Sequence, residues 1–105
     1  MNNDEEKFNI AKQLHSSGKI KESQKIYLNL VKIYKNNYIL FYLIGTTFLQ
    51  LKKFDEAINN FDTSIKLNSN FPEAYNNLGI ALAEKEKYLK ALINYNKAVK
   101  LKDDY

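Results

Sequence analysis

A chain of 105 residues is enough for one domain with a modest core. Its 45% apolar and 27% charged residues suit a globular protein, and 3 Gly with 1 Pro are too few turn residues for an all-β chain. Cysteine is absent, which excludes disulfides and thiolate metal sites, and the formal charge of +4 comes entirely from Lys, with no Arg.

No apolar run approaches the roughly 18 residues of a membrane span. The start, Met1 to Glu6, is polar and acidic, unlike a targeting peptide. A cytoplasmic location with no membrane partner is the resulting expectation.

The chain reads as six short amphipathic helices in three units, 4–37, 38–71 and 72–105. In the first unit, Phe8, Ile10, Ala11 and Leu14 fall on one stripe of a helix over Glu5 to Ser17. Asn3 or Asp4 is expected to cap it, with Glu6 completing a capping box. Gly18 suits a left-handed C-terminal residue. Ser23, Tyr27, Leu30, Val31 and Ile33 mark the second helix. In the second unit the helix from Ile39 to Leu51 is apolar on several sides, as expected of an element buried between two others. Lys52-Lys53 makes the turn, Asp55 suits a cap, and Ala57, Phe61, Ser64, Ile65 and Leu67 form the next stripe. Asn68 to Phe71 is read as a loop. In the third unit Pro72 opens a helix, where its missing N–H costs nothing. The inner stripes are then Ala74, Tyr75, Leu78, Gly79 and Leu82, and Ala91, Tyr95, Ala98, Val99 and Leu101.

Stacked at a spacing of 34 residues, the units share one pattern. A bulky residue precedes a small one at Ile10-Ala11, Ile44-Gly45 and Leu78-Gly79. A bulky apolar residue follows at Leu14, Phe48 and Leu82, and Ile20, Phe54 and Tyr88 come after the turn. Then come small Ser23, Ala57 and Ala91 and aromatic Tyr27, Phe61 and Tyr95. This resembles the tetratricopeptide repeat (TPR), whose period is 34 residues. The resemblance implies an all-α protein, an α-solenoid in which three helix-turn-helix hairpins form a right-handed superhelix. One hairpin cannot bury its own stripe, so the units must stack. The resemblance also implies that Gly45, Gly79, Ala57 and Ala91 let the helices of a unit approach closely. Lys7 stands where the other units carry Phe41 and Tyr75, which suits a first unit with water on its outer side. The polar capping helix usual in the family is absent after the last unit. Either a longer chain or another copy is then expected to cover a self-association face of Tyr88, Leu92, Tyr95 and Val99.

The resemblance further implies a scaffold or adaptor function. The first helix of each unit lines a concave groove that holds a peptide or a partner helix. By position the groove residues are Phe8, Asn9, Lys12 and His15, then Ile39, Tyr42, Leu43, Thr46 and Leu49, then Asn76, Asn77 and Ile80. Family members that clamp the C-terminal carboxylate of heat-shock chaperones need a basic and Asn set. The matching places here hold Phe8, Lys12, Leu43, Glu73 and Asn77, so that peptide is not expected as a partner. The asparagine ladder of another subtype is matched at Asn9 and Asn77 but interrupted by Leu43.

No catalytic residue, metal ligand set or cofactor site is read, and no enzyme activity is expected. The single histidine, His15, reads as a solvated surface residue at the groove rim, and one His without Cys cannot build a transition-metal or nucleophile–base set. Two alternatives stay open. The opening unit looks like those that precede glycosyltransferase domains, which would make the repeats a substrate-recruiting segment of a larger enzyme. Lys19, Lys21, Lys25, Lys32 and Lys35 could contact nucleic-acid phosphates without sequence preference, although Glu22 interrupts them.

Overall fold

The computed structural model describes residues 3–104. Six helices follow one another: α1 (Asn3–Ser16), α2 (Ile20–Val31), α3 (Tyr38–Gln50), α4 (Phe54–Leu67), α5 (Pro72–Glu84) and α6 (Tyr88–Asp103). There is no strand among the described residues. Each consecutive pair packs together, and α3 also touches α5. The result is an elongated α-solenoid, 43 × 29 × 22 Å, of three antiparallel hairpins.

The three hairpin turns share one device. Gly18, Lys52 and Glu86 stand 34 residues apart and all adopt the left-handed backbone conformation, with φ of 83°, 62° and 61°. The next amide reaches back five residues each time: Lys19 to Leu14, Lys53 to Phe48 and Lys87 to Leu82, at 2.9, 2.8 and 2.9 Å. These are Schellman closures, which satisfy the last helical carbonyls. Only the first uses glycine, and a Cβ in this region costs roughly 1–2 kcal/mol. Lys52→Gly and Glu86→Gly should therefore each stabilise the chain by about 1 kcal/mol in urea unfolding, against the usual loss on introducing glycine. A loss at both sites would contradict this account of the turns.

The joints between hairpins are built differently. The Asn37 side chain accepts from the amides of Ile39 (3.0 Å) and Leu40 (3.1 Å), capping α3. At the second joint Phe71 stacks edge-on against Tyr38 and Tyr42, with ring centroids 5.2 and 4.9 Å apart, and Pro72 starts α5.

The core has two clusters. Ala11, Tyr27, Leu30, Leu40 and Ile44 form the first; Ala57, Phe61, Leu78, Ala81, Leu82 and Ala91 form the second. Phe48 packs against both and joins them. Gly45 and Gly79 face the rings of Phe61 and Tyr95, so each glycine makes room for the aromatic of its own hairpin. The buried hydroxyls are paired: Ser23 donates to the Ile20 carbonyl (2.8 Å), Thr47 to Ile44 (2.6 Å) and Ser64 to Tyr38 (2.8 Å).

Several expectations are corrected. Asn3 is already helical, so neither it nor Asp4 is the cap of α1, and any cap before Asn3 lies outside the described residues. Asp55 lies in the first turn of α4, after the cap position at Lys53. It pairs with Lys85 across the hairpins, and the Lys85 ammonium holds its carboxyl below the usual range. Ile10, Ile33, Leu67 and Val99 are exposed rather than part of inner stripes. Ile10 and Val99 belong to the two outer helices, where no described element covers the second side.

Candidate functional site

The odd-numbered helices are linked side by side. His15 of α1 bonds Gln50 of α3 through Nε2 (2.6 Å), and the Asn77 amide of α5 donates to the Tyr42 hydroxyl (3.2 Å) and the Thr46 hydroxyl (3.5 Å) of α3. These contacts tie His15 of α1 to α3 and gather Tyr42, Thr46 and Asn77.

At the α1 end, Phe8 is half-buried against the first core, with its ring 6.2 Å from that of Tyr27. The Lys12 ammonium lies 4.7 Å over the Phe8 ring, a cation–π contact that holds this charge along the surface. Asn9 is exposed. Next to Phe8, a recess of about 190 Å³ is floored by Leu30 and Leu40 and rimmed by Asp4 and Glu5. The Tyr34 hydroxyl donates to Asp4 across it, at 2.9 Å.

His15 is not the solvated residue expected from sequence. It is half-buried and T-stacked on Tyr27, with Nδ1 3.3 Å from the Tyr27 hydroxyl and Nε2 on Gln50. Both ring nitrogens are engaged within the chain, so the histidine braces α1 against α2 and α3. Burial pushes the Tyr27 hydroxyl up to about 12, and the phenol stays protonated.

The middle of the surface belongs to α3. Tyr42 packs its ring near Phe61 and Phe71, at 6.0 and 4.9 Å between centroids, and turns its hydroxyl toward Asn77 and Thr46. Burial raises this hydroxyl above the ordinary tyrosine range and the Glu73 carboxylate adds to the effect; the hydrogen bonds with Thr46 and Asn77 oppose it. Leu43 packs on the first core and Leu49 on the second, both half-buried. Tyr42 and Phe8 thus have their rings packed on the core. Ile39 on α3 and Ile80 on α5 are the exposed apolar residues here, at 41% and 37%. Asn76 is exposed, and its side-chain amide lies 3.4 Å from the Asn77 side-chain oxygen Oδ1. The Asn77 amide is spent on Tyr42 and Thr46, so it is not a free rung of a ladder.

Two family models match the chain, one described as "TPR repeat" over residues 45–86 and one as "Tetratricopeptide repeat" over residues 72–105. Residues 45–105 belong to the tetratricopeptide repeat family. No curated protein matches the chain in sequence. Among solved structures, the first TPR of Spaghetti (RPAP3), bound to the HSP90 peptide SRMEEVD, is similar over 97% of this chain and 81% of that one, with 20% identity and a TM-score of 0.91. The TPR domain of Arabidopsis OM64 matches over 97% and 84%, with 17% identity and a TM-score of 0.91. The Yersinia enterocolitica type III secretion translocator chaperone SycD matches over 93% and 74%, with 18% identity and a TM-score of 0.90. At these identities the likeness is one of TPR fold. Among the described residues no three His, Asp or Glu side chains gather where they could hold a metal ion. No described helix is long and apolar enough to cross a membrane.

Proposed function

We propose that the chain is an array of three TPR hairpins, the first diverged in sequence, and that it serves as a protein–protein interaction scaffold. Its partner is an extended peptide or a helix laid across α1, α3 and α5. The observation that carries this reading is the Tyr42–Thr46–Asn77 cluster. It is a pre-organised polar centre, flanked by exposed Ile39 and Ile80, on a surface fixed by three packed hairpins. Exposed apolar residues beside oriented amide and hydroxyl groups suit apolar side chains next to a peptide backbone. The peptide held by the similar RPAP3 domain supports the same use of the fold.

The groove chemistry argues against a terminal carboxylate as the anchor. Glu5 and Glu73 are acidic, Lys12 lies over Phe8, and the Asn77 amide is occupied. An internal segment with apolar side chains fits better.

A peptide-display selection on the wild-type chain tests the proposal. Selected peptides should lose at least tenfold in affinity, about 1.4 kcal/mol, on Ile39→Glu and on Ile80→Glu. Both positions are exposed, so the variants should keep the wild-type melting temperature. Peptides that bind both variants as tightly as wild type would overturn the groove assignment.

A further inference from the structure

The two joints between hairpins occupy equivalent places in the repeat but are filled differently. At the second, the Phe71 ring stacks edge-on against both Tyr38 and Tyr42. The residues 34 positions earlier are Asn37, Asp4 and Phe8. Asn37 uses its side chain to accept from the Ile39 and Leu40 amides, so it caps α3 where Phe71 fills space. All three line the recess of about 190 Å³ beside Phe8, which therefore lies at the place equivalent to that of the Phe71 ring. The floor is not what is missing: Leu30 and Leu40 stand where the second joint has the smaller Ser64 and Ala74. What the first joint lacks is the ring.

Size and chemistry select the occupant of this recess. An apolar cavity of about 150 Å³ takes a benzene ring, so the volume here suits one aromatic side chain. Phe8 and Tyr34 line it with rings, and aromatic pairs gain beyond their burial when they meet edge to face. The charged side chains that line it among the described residues, Asp4 and Glu5, are both carboxylates. They repel an acidic segment and accept from a neutral donor. Asp4 already accepts from the Tyr34 hydroxyl at 2.9 Å, and a carboxylate has sites for further donors. An apolar ring with a donor at its tip is a tyrosine or tryptophan side chain, the residue types that most often anchor a bound partner.

We infer that this recess is an anchor pocket for a tyrosine or tryptophan side chain of a partner protein segment. The ring takes at the first joint the place that Phe71 takes at the second, and its O–H or N–H donates to Asp4 or Glu5. Phe8 belongs to both the recess and the predicted groove. The anchor therefore deepens the peptide reading above and rests on it for the kind of partner.

Amide NMR spectra with N-acetyl-tyrosine amide test the recess without any partner protein. Titrated to about 20 mM, which reveals millimolar binding, it should give saturable shifts at Phe8, Tyr34 and Leu40. N-acetyl-phenylalanine amide should bind about threefold more weakly, for want of the donor. N-acetyl-leucine amide should not saturate. Asn37→Phe puts into this joint the residue found at the second and should abolish the shifts while the chain keeps its helical circular dichroism. Tyr34→Ala removes a wall at an exposed position after α2 and should weaken binding about fivefold; it decides the matter if Asn37→Phe does not fold. Peptides from the display selection should carry a Tyr or Trp whose change to Ala costs about tenfold in affinity on the wild type and little on Asn37→Phe. Three results overturn the inference: no saturation with the tyrosine derivative in that range, equal binding of the leucine derivative, or shifts unchanged in the folded variants. Saturating shifts here with no peptide selected would sink the groove and leave the recess standing. Peptides that need Ile39 and Ile80 but are indifferent to Tyr34→Ala would do the reverse.

Discussion

Phe61→Ala is expected to remove a large share of the stability of this chain. The ring is fully buried in the second core cluster, against Gly45 and beside Tyr42. Truncating such a residue costs about 3–5 kcal/mol through lost transfer and the cavity left behind. A domain of this size has only about 5–15 kcal/mol in total. The position matters as much as the side chain. Phe61 is in the middle hairpin, and stacked repeats are stable largely through contacts with their neighbours. The variant should unfold at a much lower urea midpoint. Its m-value should also fall, because the third hairpin loses its support and opens before the first. Tyr95→Ala is the control. Tyr95 is the same repeat position in the outer hairpin, half-buried and covered on one side only, so it should cost clearly less. Equal losses at the two sites would contradict the neighbour-dependent packing.

The 34-residue spacing made the helices legible to within a residue or two, and with them the place of each hairpin turn. Gly18 announces a left-handed residue through its type; the same conformation at Lys52 and Glu86 has no such signal and is a finding of the structure. What periodicity could not supply is the difference between a middle unit and an end unit. It treats Ile10, Ile44 and Leu78 as equivalents, yet Ile44 and Leu78 are buried while Ile10 is half exposed, because of these three helices α1 alone has no described element packed on its outer side. The same blindness put Val99 in an inner stripe. The groove residues came from family position; three of them, Tyr42, Thr46 and Asn77, are joined by hydrogen bonds. It also shows contacts that no repeat pattern encodes. His15 finds Tyr27 and Gln50, residues far along the chain, and so becomes a brace. Phe71 leaves the loop to clasp Tyr38 and Tyr42. A signal for the clasp was present: two tyrosines four residues apart share one helix face, with an aromatic just before the proline that starts the next helix.

Gly45→Ala should destabilise the chain although alanine is the better helix former by about 1 kcal/mol. A Cβ at this position would lie 2.7 Å from two carbons of the Phe61 ring. Phe61 is enclosed on all sides and cannot retreat without moving α4 away from α3. Overpacking of this kind costs about 1–3 kcal/mol, enough to outweigh the propensity gain. The clash belongs to one pair, so it can be isolated. Phe61→Leu removes ring atoms near Gly45, and the double variant should lose less than the sum of the two single losses by about 1 kcal/mol or more. Gly79 meets Tyr95 even more closely, at 2.6 Å, yet Gly79→Ala should be the milder change. Tyr95 lies beside the open face of α6, where its ring has space to swing outward, whereas Phe61 is held beneath the third hairpin. Urea titrations of the two alanine variants therefore rank the hairpins by how completely each is covered. A larger loss at Gly79 than at Gly45 would mean that the outer ring is held as firmly as the inner one, and that the distances alone set the cost.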